Sequence, residues 1–486
     1  MKLYHLSILF SISFLYSACT KSFLDINDNS NLYRQNAIKD AATLGAYNTG
    51  MLQEFAAVFQ HGVGSGYAEI ISDNLKPVDG GKTLFFHYNW QQEVDTRDGQ
   101  AYFGADPKAR SANPMWKNGY RIIRNCNYIL EEAAKYQSEN PTLINTIRGQ
   151  ALALRAFLHL KLSMVFAQHY TYSADGSHPG IPYITSSNVA ENFPRISVRE
   201  VYKNMIEDLE RAQAYLPINL TDPRVFNKES VIALLSRILL FKEDFAKAEQ
   251  NALSVIKNHP LLQITEGYPA RIFMFDGQNK KAETILQLSP QGGPSLGATT
   301  FLGVYLKKYL NWYATSDIAS MLREDTLDIR CKWVQPLGDS WMVTKFPENV
   351  APEVSPALSQ PTASYYEPII RSSELYLIVA ECAAKTGNSS TAQEYLNAVR
   401  LRANPNNLPI APIGNALIDS IYKERRKELA FEGLRMSDLQ RWKQGVHRVD
   451  ALPGSPKDLP YPNDKSIAPI PPNDVKLGGI SQNPAY

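Results

Sequence analysis

Cysteine is scarce in this chain. Four occur in 486 residues, at 19, 126, 331 and 382, with no C-x-x-C pair and no zinc-ligand spacing. A disulfide-built scaffold and a structural zinc site are thereby excluded. An oxidising compartment would permit one disulfide, but the sequence does not select its pair. Cys126 and Cys382 fall in apolar helical stretches and read as small core residues. The eight histidines form no H-x-x-x-H or H-E-x-x-H arrangement, and His159 and His169 read as structural. An excess of one charge is also missing: 50 Lys and Arg face 48 Asp and Glu, with no basic run, so nucleic acid is not an expected partner. The glycines at 62, 64 and 66 are not followed by Gly-Lys-Ser/Thr, so there is no P-loop. Gly293-Pro294-Ser295-Leu296-Gly297 matches G-x-S-x-G, but that motif needs a βα context this chain lacks, and it reads as a surface loop. Carboxylates are plentiful without any pair singled out. The expectation is a binding protein and not an enzyme, with no cofactor and no metal.

What is present begins at the N-terminus. Lys2, an apolar run from Leu6 to Tyr16, and the small residues Ser17 and Ala18 before Cys19 make a signal peptide over 1–18. A cysteine at that place suits lipoprotein processing, with Tyr16 standing where the lipobox usually has Leu. Cys19 is the expected lipidation site, and its acyl chains the expected membrane anchor. No other apolar run reaches the roughly 18 residues of a spanning helix. Residues 19–34 read as a polar tether whose one sticky element is Phe23-Leu24-Asp25.

The body, 35–486, reads as one mostly α domain. Helical periodicity covers 37–59, 114–135, 141–167, 198–216, 228–258, 372–403 and 417–444. Residues 61–113 and 260–365 are loop-rich and aromatic-rich, with a short strand at Thr284–Leu288, and the proline-rich 450–486 should be extended and irregular. Ile232, Leu235, Ser236, Leu239, Phe245, Ala248, Ala252, Val255 and Pro260 fit a tetratricopeptide hairpin, whose small residues let two helices approach closely. Tyr376 to Val399 repeats the pattern, with Gly387 in the turn, and 147–167 with 198–216 reads as a third, split pair. Interrupted repeats of this kind make a helical scaffold with irregular loops for binding.

One segment carries more detail than packing requires: Glu428-Leu429-Ala430-Phe431-Glu432-Gly433-x-Arg435-x-x-Asp438-Leu439-x-Arg441-Trp442. It resembles the C-terminal signature of the SusD/RagB-like family of nutrient-binding outer-membrane lipoproteins. Further matches are Cys19-x-x-x-Phe23-Leu24-Asp25, Trp116-x-x-Gly119-Tyr120, Arg148-Gly149-Gln150-Ala151 (with Gln150 for the usual Glu), Pro469-Ile470-Pro471 and Gln482-Asn483-Pro484-x-Tyr486. The resemblance implies a SusD-like helical scaffold of interrupted tetratricopeptide-type hairpins, lipid-anchored at the cell surface of the outer membrane. It further implies a glycan ligand delivered to a SusC-like TonB-dependent transporter. A RagB-type peptide binder and a purely structural helical-repeat adaptor are the alternatives. The signature itself reads as a docking helix and not a ligand site. Glu432 and Arg435 are placed to pair at i,i+3, and Gly433 marks close packing or a helix end.

Sugar rings present flat apolar faces edged by hydroxyls, so a surface glycan site wants aromatic platforms with amide, carboxylate or guanidinium neighbours. Two clusters outside the repeats supply them. The expected ligand-binding residues are Asp73, Asn74, Tyr88, Trp90 and Tyr102 in the first, and Trp312, Tyr313 and Trp341 in the second. The helical spacing of Tyr309, Trp312 and Tyr313 places at least one of these in the core.

Overall fold

The computed structural model describes residues 38–59, 66–80, 82, 84–94, 110–220, 222–273, 283–288, 310–346 and 367–486. The signal peptide, Cys19, Tyr102, the glycines at 62–64, the G-x-S-x-G match and Tyr309 lie outside them. In chain order the elements used below are α1 (Ala41–Phe59), α2 (Tyr67–Ile70), β1 (Leu75–Pro77), α3 (Phe85–Tyr88), α4 (Asn113–Ala133), α5 (Pro141–Phe166), β2 (Pro179–Pro182), β3 (Arg195–Ser197), α6 (Val198–Tyr215), α7 (Lys228–Phe241) and α8 (Phe245–Ile256). They continue with β4 (Thr284–Leu288), β5 (Trp312–Ala314), α9 (Ser316–Arg323), β6 (Val334–Leu337), β7 (Ser340–Val343), β8 (Glu367–Arg371), α10 (Ser372–Lys385), α11 (Ser389–Ala403), α12 (Gly414–Glu428), α13 (Arg435–Arg441), β9 (Val446–His447), β10 (Asp458–Leu459) and α14 (Pro472–Gly478).

The fold is mostly α, as the periodicity predicts. Helix starts are written locally. Asn140 accepts from the Leu143 amide ahead of α5, with Pro141 in the first turn. Ser197 and Glu200 form a capping box at α6, as do Asn227 and Ser230 at α7. Packing then runs in sequence through α4–α5, α5–α6, α6–α7, α7–α8, α8–α10, α10–α11 and α11–α12. In the α7–α8 hairpin the Ser236 hydroxyl donates to the Ala248 carbonyl at 2.8 Å, and Ala248 and Ala252 are fully buried. Small residues do bring those axes together. Gly387 turns α10 into α11 with φ +87°. The split pair α5–α6 is real: a Cβ on Gly149 would lie 2.6 Å from Leu216 Cγ, and buried Arg155 grips Asp208 in two hydrogen bonds of 2.7 and 2.5 Å.

The strand at Thr284–Leu288 forms as expected and pairs antiparallel with β8. A four-stranded antiparallel sheet, ordered β1-β5-β7-β6, joins the two loop-rich regions. Trp312 and Tyr313 therefore sit on a strand, not a helix, and alternation sends them to opposite faces: Trp312 is fully buried and Tyr313 half-buried. Two other expectations change. The 417–444 helix breaks between Glu428 and Arg435, where Phe431 and Gly433 both take left-handed φ, +67° and +74°. The proline-rich end contains the short helix α14 and is pinned: Asn483 donates to the carbonyls of Phe166 (2.8 Å) and Ala468 (2.7 Å).

Candidate functional site

The signature segment forms a turn between α12 and α13 that is clamped on both sides. The amides of Phe431 and Gly433 donate to Glu69 at 2.9 and 3.2 Å, while Lys345 donates to the carbonyls of Glu428 and Ala430 at 2.9 and 2.8 Å. Both clamping side chains are buried. Burial raises the Glu69 carboxyl despite those amides, and lowers the Lys345 ammonium to about 8 despite Glu432. The charges of the motif are equally committed. Glu428, wholly buried, accepts from Arg371 and Arg402 at 2.7 Å each and from Arg330 at 3.0 Å. Glu283 ties the same Arg371 and Arg402 together at 2.8 Å each. Glu432 takes Arg371 and Lys345, Arg425 pairs with Asp438, and Arg441 pairs with Glu381 and Asp438. Tyr422 and Trp442 stack at 3.8 Å. The expected Glu432–Arg435 pair is not made. The helix is interrupted between Glu428 and Arg435, so i,i+3 geometry does not apply, and Arg435 goes to Asp73 instead.

That contact decides the first predicted ligand cluster. Asp73 receives Arg435 Nε and Nη2 at 2.7 and 2.8 Å, with Arg426 at 3.4 Å. Burial alone would raise its carboxyl, but Arg435 and Arg426 outweigh it and hold the pKa at about 2. Asn74 donates to Glu69 at 2.7 Å and accepts from Arg426 at 2.9 Å. Both residues are buried and face the signature, so neither is available to an external ligand; their expected role is corrected on that ground. Tyr88 and Trp90 are corrected likewise. Arg448, wholly buried, lies 3.7 Å from the Tyr88 ring centroid and 4.1 Å from that of Trp90, and donates to the carbonyls of Ser72 and Tyr88 at 2.8 Å each. Burial lowers its guanidinium to about 10, despite the Tyr88 ring and Asp73 nearby. The Trp90 indole donates to the Ile71 carbonyl at 3.0 Å. Trp312 packs against Tyr88 with centroids 5.7 Å apart and has no open face. These rings are a floor, not a platform.

Among the described residues, two of the predicted ones keep solvent exposure. Tyr313 stands across from Lys76 in the β1–β5 register, and Lys76 is held by Asp450 at 2.8 Å. Trp341 on β7 is half-buried, with the Arg323 guanidinium 5.2 Å from its ring centroid. The Glu93 amide donates to the Arg110 carbonyl at 3.0 Å, and Tyr102 lies outside the described residues. Trp341 pairs with Ala314 in the β5–β7 register and so shares the face of Ala314 and Trp312, while Tyr313 projects from the opposite face. The two rings make no common platform; each can offer stacking to a polyol on its own side, Trp341 with the Arg323 guanidinium beside it. The described residues hold no His/Cys/Asp/Glu grouping suited to a metal ion. His159 and His169 are buried, and burial lowers both imidazoles to about 3. His159 Nδ1 donates to the Arg155 carbonyl at 2.8 Å and its Nε2 accepts from the Ile184 amide at 3.1 Å.

Sequence reasoning missed Glu69, Glu283, Arg330, Lys345, Arg371, Arg402 and Arg448. Most lie far from the signature in sequence, and no local pattern marks them. The usable signal was the signature's own charge density around Leu429, Ala430 and Phe431, because buried charges demand distant partners of opposite sign.

Comparison with known proteins agrees with this architecture. Residues 22–240 match a family model described as starch-binding associating with outer membrane, and residues 340–486 match the SusD family. SusD-like protein P2 of Formosa agariphila is 25% identical over 382 residues, covering 68% of this chain and 72% of that protein. A SusD superfamily protein from Bacteroides thetaiotaomicron superposes with a TM-score of 0.77 at 23% identity, over 92% of this chain and 100% of the other. A SusD-like carbohydrate binding protein from Bacteroides vulgatus gives 0.71 at 19%, over 91% and 97%. With two such matches in the expected order and a shared fold over nearly its whole length, the chain belongs to the SusD family.

Proposed function

We propose that this protein is a cell-surface lipoprotein that captures oligosaccharides or polysaccharides and delivers them to a SusC-like TonB-dependent transporter, anchored through Cys19. The observation that carries the reading is the pair of family matches, one of them to a starch-binding description that includes the outer membrane. The rings of Trp341 and Tyr313, half-exposed on opposite faces of the sheet, support it as the expected aromatic residues that keep solvent exposure among the described residues. Tyr102, outside the described residues, remains a further candidate from the sequence. A few stacked rings with rim hydrogen bonds suit a carrier, which must release what it holds. The test is a glycan array probed beside a library of short peptides. The proposal expects retention of a restricted set of glycans. Retention of peptides alone would replace it with the RagB-type reading, and retention of neither would leave the helical-repeat adaptor.

A further inference from the structure

A cavity of about 340 Å³ opens between the first half of α4, the end of β2, the loop 191–193 and the C-terminal segment 471–480. Trp116, Tyr120, Ile184 and Ile480 make a buried apolar floor, with Phe193 half-buried at one wall. Trp116 and Tyr120 meet edge to face, centroids 4.7 Å apart, at 3% and 8% exposure. Neither shows an open face for a sugar to stack on, which sets this cavity apart from a glycan platform. The Tyr120 hydroxyl donates into the wall, to the Pro182 carbonyl at 2.9 Å. The rim is different in kind: Lys117, Glu191, Asn192 and Asn473 are exposed there, giving both signs of charge and amides. Two large apolar side chains stand in solvent beside lining residues in sequence, Val189 two before Glu191 at 77% and Leu477 next to Gly478 at 87%. An apolar floor, amides at the rim and apolar shoulders fit an extended peptide, whose apolar side chains enter while its backbone meets the rim.

We propose that the occupant is the chain's own N-terminal segment, with Phe23 and Leu24 seated in the cavity. Phe23-Leu24 is the adjacent apolar pair of the polar stretch 20–31, flanked by Lys21 and Asp25, whose charges complement Glu191 and Lys117. The described chain begins at Ile38, whose carbonyl accepts from the Tyr136 hydroxyl at 3.2 Å, just past the C-terminal end of α4. The cavity lies back along that same helix, roughly 25–30 Å from Tyr136 at about 1.5 Å per residue. The stretch from Leu24 to Ile38 can reach up to about 45 Å at roughly 3.3 Å per residue, enough to cover that length and pass round the helix. Between the two, residues 187–188 are tied to α4, Ser187 to Glu131 at 2.8 Å and Arg124 to the Asn188 carbonyl at 2.5 Å, three residues before the lining residue Glu191. So held, the segment after Cys19 lies against the body of the protein and does not trail from it.

The test uses the full-length chain in detergent, compared with Phe23→Ser/Leu24→Ser by backbone hydrogen exchange and by binding of a labelled peptide spanning residues 20–31. A segment held at millimolar effective concentration over a weak pocket protects it roughly tenfold. Exchange across 188–193 and 473–480 should therefore quicken about tenfold in the double variant, while α7 and α8, as a control on folding, stay unchanged. The free peptide should bind the double variant and not the wild type, and Phe193→Glu added to the double variant should abolish that binding. Unchanged exchange at the cavity would overturn the proposal. So would equal peptide binding by wild type and variant, which would show a cavity open to peptides arriving from outside.

Discussion

Replacing Glu428 by Gln keeps the shape of the side chain and removes one negative charge from the centre of the ion network. In the wild type that carboxylate faces Arg330, Arg371 and Arg402, all at 3.0 Å or less, and none of the four residues is more than 3% exposed. Breaking one partner of a buried pair generally costs about 3–5 kcal/mol, because a desolvated charge is left uncompensated. Here Glu283 and Glu432 still serve Arg371, and Glu283 still serves Arg402, so the lower end, about 3 kcal/mol, is expected. Against a total stability on the order of 5–15 kcal/mol that is a large loss. Urea unfolding at pH 7 should show it as a lower midpoint with unchanged slope. The sign of the pH dependence follows from the carboxyl itself. Burial alone would raise it, but Arg402, Arg371 and Arg330 hold it well below the usual carboxylate range. Its contribution is therefore full above the ordinary glutamate pKa and is lost as pH falls through the depressed value. The gap between wild type and Glu428→Gln should be constant from neutral pH down to about pH 5 and narrow below that. A loss under about 1 kcal/mol at pH 7, or a gap that widens in acid, would refute the reasoning.

Other outcomes follow from the scaffold. Gly149→Ala places a methyl group 2.6 Å from Leu216 Cγ and 3.2 Å from the Ala212 carbonyl, so α5 and α6 must part; a loss of about 1–3 kcal/mol in thermal or urea unfolding is expected. Cys126 and Cys382 are buried, and burial pushes both thiols up, so a thiol reagent should label them only as the protein unfolds, while half-exposed Cys331 reacts first. Arg448→Met should weaken the contact between the 446–448 strand end and the Tyr88–Trp90 floor, read as a lower unfolding midpoint with the α7–α8 amides still protected.

The scaffold was legible because it is periodic. Ser236, Ala248 and Ala252 state a close helix approach in their own sizes, and Asn140, Ser197 and Asn227 state where helices begin. The site was less so. Trp90 and Trp312 look like platforms in sequence because an aromatic residue reads the same exposed or buried; only Arg448 and Tyr88, brought from remote parts of the chain, put those rings inside. Asp73 and Asn74 misled for the same reason, since their partners Arg426 and Arg435 lie more than 350 residues away. The signature reads as structural, and its charged residues are buried and ion-paired, yet its turn at Phe431 and Gly433 is hidden inside an unbroken helical pattern. A helix can be interrupted there because Glu69 and Lys345 satisfy the backbone groups the turn sets free.

The central claim is that this scaffold presents aromatic side chains to a glycan, and calorimetric titration of Tyr313→Ala and Trp341→Ala with a glycan retained by the wild type tests it most directly. The two rings project from opposite faces of the sheet, so loss of whichever one stacks on the glycan should weaken binding by about 5–10-fold, roughly 1–1.4 kcal/mol, with the unfolding midpoint little changed because both side chains are only half-buried. Unaltered affinity in both variants would contradict the account.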